Sequence, residues 1–225
     1  MNKSILMLNA AILLYGCSST STENQVGEEQ AGEASAIIVE KSVVAEILNP
    51  NLATKEEMIS LGLDEVGIEK LMSGRPYLSP SAFLNVLKEV VGGAQFDEAK
   101  AKIFLPMNLN TTDEQDFKMI PRVGDKMAHE FEEYRPYISI KQFRREIGKY
   151  VSEEELAAYE NYVFVPVNLN TSSKEEILAI PGVGDELLRK FEEYRPYESI
   201  EQFRKAIGKH VDADELDRLE RYVTL

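Results

Sequence analysis

A unit of about 60 residues is written three times in this chain, and no other feature limits its fold as strongly. Asn168-Leu169-Asn170-Thr171 repeats Asn108-Leu109-Asn110-Thr111, and Phe191 to Tyr197 repeats Phe131 to Tyr137 residue for residue. Ile207-Gly208-Lys209 repeats Ile147-Gly148-Lys149. The first copy is looser, with Asn49, Asn51, Arg75-Pro76-Tyr77, Phe83 and Leu87. A long internal period takes precedence over any local reading of the fold. Units of this length predict small domains, and three of them predict a stacked rod.

Each copy reads as four short helices. Ser173 and Glu176 have the spacing of a capping box, as do Thr54 and Glu57. Asp113 is a cap in the second copy. Ser199 with Gln202, and Ser139 with Gln142, predict boxes for the third helix of two copies, and Pro80 suits a first turn. Asp212 with Glu215, and Ser152 with Glu155, predict caps for the fourth. Leu187, Leu188, Phe191 and Tyr194 recur at helical spacing, as do Phe203 and Ile207, then Leu216, Leu219 and Val223. These positions read as core. Nothing alternates like a strand, so the predicted class is all-α.

Between the first two helices of the third copy lies Ile180-Pro181-Gly182-Val183-Gly184-Asp185. Pro181 cannot continue the preceding helix. Gly182 and Gly184 leave the backbone bare and conformationally free. Bare amides at the start of the next helix are a ready anion site, commonly for phosphate. A tight αα-turn, with glycines serving geometry alone, is the alternative.

The front of the chain reads as an address. Lys3, the apolar run Ile5–Leu14 and Leu14-Tyr15-Gly16-Cys17 predict a signal peptide over residues 1–16. The last four residues resemble the bacterial lipoprotein box, which implies lipidation of Cys17. Ser18 resembles an outer-membrane sorting signal. The expectation is an outer-membrane lipoprotein of the bacterial envelope, periplasm-facing or surface-exposed, held to the membrane by lipid on Cys17. Cys17 is the only cysteine, so no internal disulfide forms. Residues 17–35 are polar and acidic and read as a flexible tether. From Ala34 to Leu48 the chain turns apolar again, which suits a short helix or strand packed on the first copy.

Asn-Leu-Asn-Thr, a capped helix, Ile-Pro-Gly-Val-Gly and Pro-Tyr-x-Ser-Ile-x-x-Phe together resemble the helix-hairpin-helix domain of ComEA-type bacterial competence DNA receptors. The resemblance implies a helix-hairpin-helix repeat over 168–225, another over 108–167, and a divergent one over 36–107. It implies sequence-independent DNA binding through main-chain amides at Gly182, Val183 and Gly184, with Val123 and Gly124 in the second copy. Arg122 stands where the second copy should have its first glycine, and Gly62-Leu63-Asp64 is the first copy's equivalent. The second hairpin of the third copy falls near Ile207–Val211, where only Gly208 survives. Arg189, Lys190, Arg204, Lys205 and Lys209, with Lys126, Arg144 and Arg145, are the basic residues able to support a phosphate-binding face. They are equally able to pair with Glu132, Glu133, Glu192 and Glu193, or to remain solvated.

Charge bears on the choice. The net charge is −14. Residues 168–225 hold 9 basic and 13 acidic side chains, and residues 108–167 hold 8 and 12. Non-specific DNA binding rests on Lys and Arg neutralising phosphates. Asp185 and Asp125 sit where a phosphate would lie, and two negative charges there repel. His129 and His210 occupy non-equivalent positions, no ligand set has metal spacing, and no nucleophile motif appears, so no enzyme and no cofactor are expected. Two expectations remain. One is a lipid-anchored, non-enzymatic DNA binder. The other is an acidic protein-interaction or scaffold lipoprotein that kept the fold and lost DNA; the extrinsic lumenal proteins of photosystem II offer a precedent by resemblance.

Overall fold

The computed structural model describes residues 47–225. The readings for residues 1–16, for Cys17 and the tether, and for the apolar residues before Ile47 lie outside the described residues. The first copy holds α1 (Lys55–Ser60), α2 (Glu65–Ser73), α3 (Pro80–Val91) and α4 (Phe96–Lys100). The second holds β1 (Met107–Asn108), α5 (Glu114–Phe117), α6 (Asp125–Glu133), α7 (Ile140–Ile147), α8 (Glu153–Glu160) and β2 (Val163–Phe164). The third holds β3 (Val167–Asn168), α9 (Lys174–Leu178), α10 (Asp185–Glu193), α11 (Ile200–Ile207), α12 (Ala213–Glu220) and β4 (Val223–Thr224). The fold is mostly helical.

Side-chain caps start most of these helices. Ser173 Oγ accepts from the Glu176 amide at 3.2 Å, and Glu176 Oε2 accepts from the Ser173 amide at 2.8 Å. Thr54 and Glu57 make the same reciprocal pair. A cap of this kind is worth about 1 kcal/mol. The boxes expected at Ser199 and Ser139 form only halfway. Both hydroxyls cap, but Gln202 Oε1 accepts from the Glu198 amide and Gln142 Oε1 from the Ile138 amide, one residue earlier than a box requires. The cause is φ. Ser199 and Ser139 lie at −155° and −162°, against −69° at Ser173, and this rotation turns their own amides away.

The expected apolar faces do form the core. Phe131 packs edge-on against Phe117, Phe143 and Tyr159, with ring centroids 5.2, 5.2 and 5.7 Å away. Phe191 and Phe203 repeat one of these contacts at 5.3 Å. Leu187 and Tyr194 are only half-buried.

A polar clasp ties the start of each copy to its middle. Asn170 Oδ1 accepts from the Tyr197 amide at 2.7 Å and its Nδ2 donates to the Tyr197 carbonyl at 2.9 Å. Asn110 grips Tyr137, and Asn51 grips Tyr77, in the same way. Arg195 then donates to the carbonyls of Leu169 and Ser172 at 2.6 and 2.9 Å. Arg135 does so to Leu109 and Thr112, and Arg75 to Ala53. The Asn-Leu-Asn and Arg-Pro-Tyr signatures are therefore two halves of one structural joint.

Two features depart from the sequence expectation. Short parallel ladders join the first and last residues of a copy: β1 pairs with β2, β3 with β4, and Leu48 bridges to Ile103. No alternation marked them because each strand is two residues long. The copies also do not stack as an extended rod, since the third returns to the first. Asn49 Nδ2 donates to the Tyr222 hydroxyl at 3.2 Å, and Arg221 Nη2 donates to the Pro106 carbonyl at 2.9 Å. The Arg221 guanidinium also lies 5.7 and 5.5 Å from the ring centres of Phe164 and Tyr222. Its burial lowers its pKa.

Arg122 has φ 67°, the left-handed position that Gly62 and Gly182 occupy at 81°. A residue with a Cβ is strained there by about 1 kcal/mol or more. Arg122→Gly should therefore raise stability by about 1 kcal/mol, read as a higher urea midpoint with unchanged slope.

Candidate functional site: the interhelix turns and their flanking cations

The turn from Ile180 to Asp185 is built by two different glycines. Gly182 supplies the positive φ. Gly184 is the N-cap of α10 with φ −105°, which any residue adopts, and a Cβ added there would meet nothing within 4 Å. Gly124 is its equivalent ahead of α6, with φ −97° and the same open space. The conformational freedom expected of both glycines in the turn is thus used only at Gly182. Val183 and Val123 are core residues, 8% and 5% exposed. Their amides are already committed, to Ile180 and Ile120 carbonyls at 3.0 and 3.1 Å. Of the five expected hairpin residues, Gly182, Gly184 and Gly124 are exposed.

Arg218 is the residue that changes the site. Its side chain is 3% exposed, and it donates to the Pro181 carbonyl at 2.5 Å. Glu215 holds the same guanidinium in a fork, at 2.6 Å to Nε and 2.5 Å to Nη2. A Cβ on Gly182 would lie 2.8 Å from Arg218 Nη2 and 3.3 Å from Leu52 of the first copy. One face of this turn is therefore covered by protein. Arg218 gave no signal in the sequence, since it lies 37 residues from the carbonyl it binds.

At the second copy an exposed Arg122 stands in the turn, and Ala158 takes the place of Arg218. Asp125 at the turn exit is ion-paired with Lys118, which holds its carboxyl below the usual value.

The eight supporting cations divide evenly. Arg144 is forked by Glu160, and Arg204 is shared by Asp217 at 2.7 Å and Glu220. Arg145 pairs with Glu146 at 2.7 Å, and Lys190 with Glu193 at 2.7 Å. These four are neutralised by the neighbouring helix or by their own. Arg189, Lys205, Lys126 and Lys209 have no ion pair among the described residues. Lys126 Nζ lies 5.9 Å from the Tyr150 ring centre and Lys209 Nζ 5.5 Å from that of Tyr194. The glutamate pairing expected of these cations is thus partly as anticipated, with Glu193 a partner and Glu160 and Glu220 additional ones. A cleft of about 350 Å³ lies between α11 and α12, lined by Lys205, Gly208, Lys209, Val211 and Leu216 beside Arg204. This is where the second hairpin was expected.

His210 accepts or donates at 3.1 Å to the Tyr194 hydroxyl, and Tyr150 meets Tyr134 equivalently at 2.8 Å. These two pairs join the helix before Arg-Pro-Tyr to the turn after α7 or α11.

Two exposed carboxyls are held below their usual range by hydrogen bonds to cations: Glu193 by Lys190, and Asp125 by Lys118. A lowered folded pKa stabilises above the unfolded value and the gain is lost as pH falls through the folded value. Stability from these pairs is therefore complete above about pH 4.5 and lost below it, at small amplitude because they are exposed. Thermal melts between about pH 6 and 3 should show this fall, weakened further in about 0.5 M salt.

Compared with known proteins, the chain is matched by no family model, no curated protein and no solved structure. Its reading rests on its own residues.

Proposed function

We propose that this chain is a non-enzymatic helix-hairpin-helix protein of the cell envelope, lipid-anchored through Cys17, that acts as an acidic protein-interaction scaffold. The three 60-residue copies, each with a turn between two short helices, support the architecture. The lipoprotein-like N-terminus supports the location.

One observation carries the choice of ligand class. The turn with the fullest family pattern, at Gly182, has one face taken by Arg218 and Leu52. A duplex phosphate requires bare amides and uncompensated positive charge. Here the valine amide is used internally, Asp185 stands at the exit, and half of the supporting cations are spent on carboxylates. A net charge of −14 works in the same direction.

A second reading has one specific observation in its favour. Lys205 and Lys209 line the cleft between α11 and α12 without ion-pair partners among the described residues. Lys126 and Arg189 are available in the same sense. Cations of this kind are what a nucleic-acid backbone engages, and Asp212 lines the same cleft.

Duplex binding separates the two readings. The purified protein is titrated with mixed-sequence duplex at about 50 and 200 mM salt, where phosphate-driven binding should weaken by orders of magnitude. The scaffold reading expects no saturable binding at the lower salt. Saturable, salt-steep binding that K205E/K209E abolishes would establish the DNA reading instead.

A further inference from the structure

We propose that the cleft between α11 and α12 in the third copy docks an acidic segment of a protein partner, one that carries a carboxylate beside an apolar side chain. This rests on the scaffold reading above and names the chemistry of the partner.

One substitution between copies sets this cleft apart. In the second copy Glu146 neutralises two cations: Arg145 reaches its Oε1 at 2.7 Å, and Lys149 reaches its Oε2. Arg145, Glu146 and Lys149 correspond to Lys205, Ala206 and Lys209 at an offset of one repeat. Ala206 has no carboxylate to offer, so both lysines keep their charge, and neither has an ion pair among the described residues. Lys209 lies 5.5 Å from the Tyr194 ring centre, a contact that leaves its charge in place. The first copy has Asn85, Val86 and Glu89 at these positions and so carries no such pair. On a chain of net charge −14, two unneutralised lysines four residues apart on one helix face invert the local sign.

The lining fits an acidic peptide segment better than a phosphate backbone. Lys205 and Lys209 stand beside Val211, Ala213 and Leu216 in a space of about 350 Å³. An apolar side chain gains by burial against these three, and a phosphate does not. Arg204 adds no free charge, since Asp217 and Glu220 hold it. Asp212 also lines the cleft, its Oδ1 accepting from the Glu215 amide at 2.8 Å. Two lysines against one aspartate leave a single surplus positive charge, which suits a carboxylate on a short segment. A duplex carries one negative charge per ~1.7 Å of its axis. It would set that density against the acidic surface around the cleft, and one surplus cation does not offset the repulsion.

The probe is a blocked pentapeptide, Ala-Leu-Glu-Leu-Ala, with its glutamine counterpart, titrated into the ¹⁵N-labelled protein by NMR. Saturating shifts at the amides of Gly208, Val211 and Ala213 are expected with a Kd of about 1 mM at low salt. They should weaken between about 50 and 200 mM salt. The glutamine peptide should bind several-fold more weakly. K205Q/K209Q, which removes only charge from exposed positions, should abolish the shifts with the fold intact. A206E returns the neutralising carboxylate of the second copy and should also weaken binding; K205Q/K209Q decides the matter if that buried position does not accept glutamate. The proposal is overturned by absent shifts at those amides, by equal binding of the glutamine peptide, or by undiminished binding in K205Q/K209Q or in folded A206E. A duplex that displaces the peptide from these amides would defeat both this proposal and the scaffold reading. A silent peptide with no duplex binding would defeat this cleft alone.

Discussion

Arg218→Ala is expected to destabilise the protein by about 3 kcal/mol, read from urea unfolding. The guanidinium is buried, and its removal leaves the Pro181 carbonyl without that donor and Glu215 without its fork. Breaking a buried ion pair costs about 3–5 kcal/mol in general, and the lower end applies because the Glu215 side chain is 30% exposed and regains water. Arg218→Met should recover part of the loss by refilling the apolar space beside Leu52. The variant also interrogates the turn. With Arg218 gone, the face of Gly182 is uncovered on one side, and only Leu52 remains across it. If the covered turn is what keeps nucleic acid out, R218A should gain weak duplex binding at low salt. If the acidic surface alone excludes nucleic acid, R218A should bind no better than the parent. Gly182→Ala addresses the same contact from the other side. It meets both left-handed strain and a Cβ 2.8 Å from Arg218, so it too should destabilise.

Asn170→Ala should cost about 2–3 kcal/mol, the second large effect. The side chain satisfies both the amide and the carbonyl of Tyr197, which is itself 2% exposed. Truncation therefore leaves a buried donor and a buried acceptor together, a larger penalty than the net value of two hydrogen bonds. Asn170→Asp is the informative control. It keeps the acceptor for the Tyr197 amide, but loses the donor and sets a charge against the carbonyl. It should be no better than alanine at neutral pH. An effect below about 1 kcal/mol in both variants would mean that the clasp is solvated in practice.

How much of this was legible beforehand depends on sequence separation. Capping boxes at Thr54 and Ser173 span three residues, and both form as read. The boxes at Ser139 and Ser199 form only halfway because φ at the cap, −162° and −155°, differs from the −69° at Ser173. The apolar faces of α10, α11 and α12 were readable because helical periodicity is local. The Asn-Leu-Asn and Arg-Pro-Tyr stretches were visible as repeated motifs. Their pairing across 26–27 residues was not, because nothing in either motif names its partner.

At the candidate site the division is sharper. Gly182, Gly184 and their sisters were identifiable from composition alone, and so was the acid at each exit. Which of them are open was not. Arg218 and Leu52 reach Gly182 only because the third copy folds back on the first, which also brings Asn49 to Tyr222. Likewise, pairing of Arg144 and Arg204 with glutamates was readable as an option, but not that Glu160 of α8 and Glu220 of α12 are the partners.

By itself the sequence determined the repeat, the helices, their caps and the place of each turn, since these follow from residues a few positions apart. Only the tertiary structure decided which turns are covered and which cations are spent. Those outcomes depend on contacts between distant segments: the Arg218 guanidinium of α12 reaches the Pro181 carbonyl 37 residues away, and Leu52 of the first copy approaches Gly182 of the third.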